Sequence, residues 1–166
     1  MTADIEYLPS VYLETTIPSY LASRLSSFMI VAAQQLITRD WWDDARFGYD
    51  LYVSEAVLEE CRAGDPKQAA IRTDLVQGIP VLAITDHIIS LTSIYQKLLD
   101  IPDKSKVDAL HLAFAVGYEI DYLLTWNCRH LAHGEVRTRI HRYSQSKGLH
   151  EPMIVTPQEL MERSEL

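Results

Sequence analysis

The sequence predicts an α/β protein, with a three-layer α/β/α arrangement around a central parallel sheet of about five strands. Two observations predict it. Short apolar runs alternate along the chain with longer segments of helical periodicity, which is typical of β-α-β units. These runs are apolar almost throughout, which indicates strands that are buried on both faces of the sheet. The runs cover residues 11–13, 51–53, 81–84, 122–124 and 153–155.

Two pairs of residues with capping preferences mark where helices between these strands begin. Asp65 followed by Pro66 fits an N-cap with proline at the first helical position. Ser105 and Asp108 fit a capping box in which aspartate replaces the usual glutamate. We therefore expect helices to start just after residues 65 and 105.

Two further segments complete the predicted helices. Thr156 and Glu159, with a proline directly after the threonine, indicate a capping box at the start of the last helix. Residues 27–47 form one long helical pattern, or two helices, that ends near Trp41 and Trp42. Paired aromatic residues at this point fit a subunit or partner surface as well as core packing.

Length and composition are those of a soluble globular protein. The chain has 166 residues, of which 48% are hydrophobic, so we expect a single domain over residues 1–166 with a sizeable core. No apolar run approaches the roughly 18 residues of a membrane span, and the N-terminus does not resemble a signal peptide. Cys61 and Cys128 lack metal-type spacing and support no disulfide framework, so a reducing cytoplasm is the expected location.

The charge balance is acidic and uneven. A net charge of −8 argues against a protein that holds nucleic acid mainly by bulk electrostatics. It leaves open an enzyme that acts on phosphates through bound cations. Between Arg129 and Lys147 the chain is basic, with Glu135 as the one acid in that segment. This segment fits a solvated helix face or a contact with phosphates or a partner.

Polar side chains are expected to meet at one edge of the sheet. Ligands of parallel sheets bind beyond the carboxyl ends of the strands. Glu14 follows the first strand directly, and Thr125 and Asn127 follow the fourth. Asp108 opens the helix that leads into the fourth strand. Taken singly, each of these residues also fits an ordinary structural role, such as a helix cap, a strand end or a turn.

A glutamate from the helix after the second strand is the fourth candidate, and two neighbours compete for the position. Val57, Leu58 and Cys61 define the apolar side of this helix at about 100° per residue. Glu60 lies closer to this side than Glu59, so we expect Glu60 to point inward, with Glu59 as the alternative.

Acidic side chains that converge at a sheet edge repel one another unless a cation compensates them. Oxygen ligands without a chelating set of Cys or His select hard cations such as Mg²⁺ or Mn²⁺. Such a cation polarises a phosphodiester and activates a bound water for in-line attack. The sequence therefore predicts metal-assisted phosphodiester hydrolysis without a covalent enzyme intermediate.

At these residues the chain resembles PIN domains, in particular their VapC-like branch. The resemblance covers nearly the whole chain and rests on VYLETTIPSYL, VSEAVLEECRAGDP, KVDALHLAFAVGYEIDYLLTWNCRHLA and PMIVTPQEL. PIN domains use a parallel sheet and an acidic cluster to bind Mg²⁺ or Mn²⁺ and cleave RNA, often as the toxin of a toxin–antitoxin pair. The resemblance implies a metal-dependent endoribonuclease with an RNA substrate, and an antitoxin protein and a homodimer as expected partners.

Carried over position by position, the family's first aspartate, normally followed by threonine, falls on Glu14 with Thr15 behind it. The second and third acids fall on Glu60 and Asp108. The fourth, in a Thr-x-Asp context, falls on Asn127. The resemblance thus implies Mg²⁺ or Mn²⁺ held by these four side chains. Glutamate is one methylene longer than the usual aspartate, and asparagine keeps an oxygen ligand but loses a charge.

The two departures shape the expected chemistry. Three carboxylates can hold one Mg²⁺ together with waters, whereas Asn127 weakens a second metal site. Thr15 or Thr125 is expected to orient the water shell of the metal or the phosphate, and Asn127 to position a water. Because Glu14 and Asn127 depart from the family, the alternative is a catalytically weakened or inactive PIN-like nucleic-acid-binding or regulatory module.

Three histidines add further hypotheses. His111 lies three residues after Asp108 on the same side of the helix. It could form a hydrogen bond into the acidic cluster, or lie at the edge of the core with its ring satisfied by the backbone, which is the more common arrangement. His130 and His133 have i, i+3 spacing and suggest a zinc site, but no third ligand is near them in the sequence.

Overall fold

The structure is a computed structural model that describes residues 7–161. They form a five-stranded parallel sheet between layers of helices, which confirms the predicted three-layer α/β/α fold. The five predicted strands are all present. They are β1 (Ser10–Leu13), β2 (Asp50–Ser54), β3 (Val81–Leu82), β4 (Tyr122–Leu124) and β5 (Met153–Val155).

Helices make the crossovers that parallel strands require. The α-helices of residues 7–161 are α1 (Thr16–Ala22), α2 (Met29–Asp43), α3 (Glu55–Arg62), α4 (Pro66–Val76), α5 (Asp86–Leu98), α6 (Lys106–Gly117) and α7 (Gly134–Lys147). Short 3₁₀ helices cover Ala45–Gly48, Asp103–Ser105 and Pro157–Leu160. Along this part of the chain, no helix combines the length and apolar character needed to cross a bilayer.

The strand order β3-β2-β1-β4-β5 places β1 at the centre of the sheet. The chain runs outward from β1 through β2 to β3, and then returns to the other side of β1 with β4 and β5. The direction of winding therefore reverses between β1 and β4. In parallel sheets, this reversal opens a crevice beyond the carboxyl ends of the two strands. Glu14 and Thr125 directly follow these two strands.

Burial explains why β1 and the second half of α6 are largely apolar. Val11, Tyr12 and Leu13 of β1 are fully buried, because β1 is covered on both faces. Helix α6 packs against α5, and its side chains from residue 111 to 116 are buried in sequence. A helix that is apolar all round fits only such an interior position.

One of the predicted helix caps is correct and another is wrong. The Asp65 side chain accepts a hydrogen bond from the Gln68 backbone N–H at 2.9 Å, as expected for the N-cap of α4. Ser105 makes no side-chain cap bond, since a 3₁₀ turn continues directly into α6 and the residue lacks the extended backbone of a cap. The capping box of Ser105 with Asp108 is therefore absent, and the Asp108 carboxylate bonds His130 instead.

The Thr156 capping box is present, but it starts a single 3₁₀ turn. The Glu159 carboxylate accepts from the Thr156 backbone N–H at 2.7 Å, and the Thr156 side chain interacts with the backbone of Glu159. The turn spans Pro157–Leu160, and the described chain ends at residue 161. The predicted last helix is therefore a 3₁₀ turn within the described residues.

The long helical pattern at 27–47 resolves into α2 and the 3₁₀ turn after it. Trp41 is fully buried, which settles core packing for this tryptophan. Trp42 is half-buried, and the Arg46 guanidinium lies 4.2 Å from the centre of its ring. This cation–π contact covers part of the ring face that a partner would otherwise meet.

Helix α7 carries most of the basic segment, and two of its three arginines pair with nearby acids. Arg137 contacts Glu159 at 3.3 Å, and Arg139 lies 2.8 Å from both Asp100 and Glu135. These exposed ion pairs are typical of a solvated helix face.

At the amino ends of the strands, one carboxylate ties β4 to β1. Asp121 Oδ2 accepts hydrogen bonds from the Ser10 backbone N–H at 2.8 Å, from the Ser10 hydroxyl at 2.9 Å and from the Tyr7 hydroxyl at 2.9 Å. The Ser10 N–H is the largest cause of a lowered pKa for Asp121, and the hydroxyls of Tyr7 and Ser10 add to it against the effect of burial. The ionised carboxylate therefore stabilises the folded chain.

We expect Asp121→Ala to lower the free energy of unfolding by about 1–2 kcal/mol at neutral pH, because three donors lose their acceptor. A lowered folded-state pKa means that the charge contribution is present above the ordinary carboxyl pKa of 3.8 and is lost as pH falls through the folded-state value. Urea unfolding at pH 7 and at about pH 3.5 measures the difference between wild type and variant. Asp50→Ala, at an exposed carboxylate nearby, is the control. A difference of equal size at both pH values would contradict this account.

Candidate functional site

The candidate site lies at the crevice between β1 and β4, and Glu14 is its centre. This side chain is buried, with 4% of the residue exposed. Its Oε2 accepts from the Thr16 backbone N–H at 3.1 Å, from the Thr16 hydroxyl at 2.5 Å and from the Thr125 hydroxyl at 2.7 Å. Its Oε1 has no hydrogen-bond donor among residues 7–161, and the nearest cationic atom is His111 Nε2 at 4.0 Å. One carboxylate oxygen is thus fixed and the other is free.

Helix α3 brings Glu60 to the same place. Its Oε1 accepts from the Thr15 hydroxyl at 2.6 Å and contacts His111 Nε2 at 2.8 Å. Burial raises the pKa of Glu60, but the hydrogen bond and charge of His111, together with the Thr15 bond, outweigh it and lower the pKa. Glu59 is exposed, so Glu60 is the inward-pointing member of the pair.

His111 connects this carboxylate to the interior of the sheet. Its ring is fully buried, and Nδ1 lies 2.7 Å from the Tyr12 hydroxyl, which in turn lies 2.7 Å from the Ser54 hydroxyl. A continuous hydrogen-bonded chain therefore runs Ser54–Tyr12–His111–Glu60. The alternative in which His111 forms a hydrogen bond into the acidic cluster is confirmed, and the one in which the backbone satisfies its ring is wrong, because both ring nitrogens face side chains.

The charges around His111 favour its protonated form. Burial lowers the pKa of His111, but the hydrogen bond to Glu60 and the negative charges of Glu14, Glu60 and Asp108 outweigh burial and raise it. A protonated ring placed among three carboxylates reduces their mutual repulsion. In that form, the ring contributes a positive charge to the acidic cluster.

Asp108 and Asn127 meet at a second histidine. Asp108, in the first turn of α6, has its Oδ2 2.6 Å from His130 Nδ1. The side-chain oxygen of Asn127 accepts from the His130 backbone N–H at 3.0 Å, and the Asn127 backbone N–H donates to the Thr125 hydroxyl at 2.9 Å. Asn127 therefore closes a turn that positions His130. The side-chain oxygen of Asn127 therefore accepts a hydrogen bond within this turn, whereas Asn127 was predicted to be a metal ligand.

The two histidines of the suggested zinc site have separate roles. His130 pairs with Asp108, and His133 is the N-cap of α7, where Nδ1 accepts from the Glu135 backbone N–H at 3.2 Å. Each ring thus has a local structural partner of its own.

The three carboxylates share a pattern that bears on metal binding. Each has one oxygen held by protein donors and one oxygen with no hydrogen-bond partner within residues 7–161. The free atoms are Glu14 Oε1, Glu60 Oε2 and Asp108 Oδ1. Hard cations prefer such oxygen donors. In the part of the chain that the structure describes, however, no three or more His, Cys, Asp or Glu side chains form a group that could hold a metal ion. These oxygen donors fit a hard cation. The three carboxylates would have to move closer together before they could surround one.

Some residues of the site were missed at the sequence level. Thr16 holds Glu14 and also accepts from the Trp126 backbone N–H at 2.9 Å, so it fastens β1 to the segment after β4. The second hydroxyl of the pair Thr15–Thr16 was the available signal. Tyr12 gave no signal, because an aromatic residue in a buried strand is normally read as core.

Comparisons with known proteins give no family assignment. No protein-family model matches the chain. No curated protein matches it either. The resemblance to PIN domains therefore stays a prediction, and the function is proposed from the geometry of the site.

Proposed function

We propose that this protein is a Mg²⁺- or Mn²⁺-dependent ribonuclease that hydrolyses RNA phosphodiester bonds. One observation carries the proposal. Where the sheet reverses its winding, Glu14, Glu60 and Asp108 each keep one oxygen fixed by the protein and one oxygen free. A set of three singly free carboxylate oxygens is the donor chemistry of a Mg²⁺ site. Glu14 is buried, and a buried carboxylate among other acids is costly unless its charge is compensated, as a bound cation would do.

The surrounding residues hold two of the three carboxylates by one oxygen each. The hydroxyls of Thr16 and Thr125 fix Glu14, and Thr15 with His111 fixes Glu60. Fixed carboxylates lose little conformational entropy when they bind a ligand. When bound, the cation polarises the phosphodiester and activates a water for attack on phosphorus.

A cleavage assay on single-stranded and structured RNA tests the proposal, with Mg²⁺, Mn²⁺ and EDTA in parallel. We expect products only with a divalent cation. Glu60→Gln is expected to lower the rate about 100-fold or more, because loss of a metal ligand removes several kcal/mol of transition-state stabilisation. Glu59→Gln, the same change one residue away at an exposed position, is the matched control and should cleave like wild type. Equal activity of the two variants, or cleavage in EDTA, would contradict the proposal.

Finer assignments follow from the resemblance given above. We propose a cytoplasmic enzyme that acts as the toxin of a toxin–antitoxin pair, with an antitoxin protein as its inhibitor and a second copy of the chain as its partner. The genomic neighbourhood tests the first of these, since a toxin gene is expected beside a gene for a small partner protein. Sedimentation of the purified chain tests the second.

A catalytically weakened or inactive nucleic-acid-binding or regulatory module is the second candidate. The specific observation in its favour is that residues 7–161 contain no group of three ligands ready to hold a metal. In addition, Glu60 and Asp108 each contact a histidine nitrogen, at 2.8 and 2.6 Å, which occupies one oxygen of each carboxylate. RNA binding without cleavage in every metal arm would favour this candidate.

A further inference from the structure

An open groove with a basic lining lies between α1, the start of α2 and α4. Its volume is about 620 Å³, and we call it the arginine groove. Hydroxyl, amide and guanidinium groups line it, from Ser19, Tyr20, Ser23, Arg24, Gln68 and Arg72. None of its lining residues is acidic. In a chain with 23 acidic and 15 basic residues, a groove with two arginines and no carboxylate marks a local reversal of charge.

The two arginines differ in how they are held. Arg72 donates to the backbone oxygens of Cys61 at 3.1 Å and of Ala63 at 2.5 Å, so its position is fixed at the end of α3. Arg24 is exposed, and its guanidinium has no hydrogen-bond or ion-pair partner within residues 7–161. Its donors are therefore available to a ligand. Arginine binds phosphate oxygens with two parallel N–H donors.

A buried glutamine shapes the loop that carries Arg24. Gln35 of α2 donates to the Ser23 hydroxyl at 2.7 Å and to the Arg24 backbone oxygen at 3.0 Å. Its side-chain oxygen accepts from the Ser26 backbone N–H at 2.8 Å. Three hydrogen bonds from one side chain hold the loop in place, so a ligand would not have to order it.

The groove adjoins the candidate site through two stacked aromatic rings. Tyr20 lines the groove, and its ring stacks on Trp126 with 6.5 Å between ring centres and 18° between ring planes. Trp126 stands between Thr125 and Asn127 in the chain, and α1 itself starts just after Glu14. The groove and the candidate site are therefore joined by α1 and by this stacked pair of rings.

Exposed apolar side chains flank the groove where α2 begins. Phe28, Met29 and Ile30 are all largely exposed, Met29 by 85%, and the next residue, Val31, lines the groove. Single-stranded nucleic acids bind to basic grooves beside aromatic and apolar surfaces, because the backbone meets the cations while the bases stack. The arginines of the groove match the phosphates of such a ligand, and the exposed apolar side chains beside it match the bases.

We propose that the arginine groove binds the sugar–phosphate backbone of single-stranded RNA on one side of the scissile phosphate. The inference rests on the proposed function, since it assigns the substrate path to that same site. The guanidinium donors match phosphate oxygens, and the hydroxyl and amide groups match both phosphates and ribose hydroxyls. Because no acidic side chain lines the groove, a polyanionic ligand meets no like charge there.

Binding of a fluorescein-labelled single-stranded RNA of about 12 nucleotides, followed by anisotropy in EDTA, tests the inference. We expect Arg24→Ala to weaken binding about 5–10-fold and to reduce the slope of log affinity against log salt by about 0.7, the value for one phosphate contact on a single strand. Arg142→Ala is the matched control. It removes the same charge from an exposed position on α7, outside the groove, and should bind like wild type.

Equal weakening by both variants would overturn the inference, because the effect would then be bulk charge. So would failure of RNA to bind while an acidic peptide of about 12 glutamates binds through Arg24, since the groove would then take a protein segment. The two proposals fail separately. RNA binding that depends on Arg24, without cleavage in the presence of any metal, contradicts only the proposed ribonuclease activity. Cleavage with a KM that Arg24→Ala leaves unchanged contradicts only the proposed binding of RNA in the arginine groove.

Discussion

Asp108→Asn is expected to abolish Mg²⁺-dependent RNA cleavage while leaving the fold intact. The substitution removes one of three negative charges from the proposed metal site and keeps the shape of the side chain. The amide oxygen of the asparagine can still accept a hydrogen bond from His130. It thereby replaces the carboxylate oxygen that lies 2.6 Å from His130 Nδ1. Loss of a ligand charge weakens cation binding and the stabilisation of the transition state together. We expect residual cleavage at least about 100-fold below wild type.

Cleavage rates and Mn²⁺ binding by calorimetry are the two measurements. The matched control is Asp86→Asn, because Asp86 occupies the first turn of α5 as Asp108 occupies that of α6 and is exposed. The control should retain both cleavage and metal binding. Wild-type cleavage by Asp108→Asn would remove Asp108 from the site, and with it the proposed three-carboxylate arrangement.

Tyr12→Phe is expected to lower the free energy of unfolding by about 2–4 kcal/mol. The lost hydroxyl is fully buried and lies 2.7 Å from both Ser54 Oγ and His111 Nδ1. Its removal leaves His111 Nδ1 unsatisfied, which costs about 1–3 kcal/mol. It also takes one hydrogen bond worth about 1 kcal/mol from Ser54, whose hydroxyl still accepts from the Val57 N–H. For a protein of this size the melting temperature should fall by about 5–15 °C.

Thermal and urea unfolding measure this effect, and a second buried tyrosine supplies the control. Tyr95 is also fully buried, and its hydroxyl lies beside Ser144 without a hydrogen bond of normal geometry. Tyr95→Phe removes the same atom and should change stability by less than about 1 kcal/mol. Similar losses for both variants would show that the chain from Ser54 to Glu60 does not stabilise the fold.

The sheet and the place of the acids were predictable because they depend on local patterns. A strand buried on both faces appears in the sequence as an apolar run, and the residue that ends such a run lies at the sheet edge. Glu14 after β1 and Thr125 after β4 were found in this way. The inward position of Glu60 followed from helical geometry alone, and its neighbour Glu59 is exposed.

The connections among these residues were not predictable, because the partners are distant in the sequence. Tyr12 and His111 are 99 residues apart, and Asp108 and His130 are 22 apart. Only the packing of α6 against the sheet brings the first pair together. The predicted Ser105 cap was wrong for a different reason. A 3₁₀ turn before α6 takes the place of a side-chain cap, and such a turn has no distinct sequence signal.

The central position of β1 has a consequence for the lifetime of the site. Local opening of a native protein is easiest at sheet edges and loops, whereas the amides of a central strand exchange with solvent only when the whole molecule unfolds. The backbone N–H of Glu14 donates to Leu124 O at 3.1 Å, so we expect this amide to be among the slowest to exchange. This bond anchors the backbone of Glu14 to the neighbouring strand β4. We therefore expect local opening at loops and sheet edges to leave Glu14 in place.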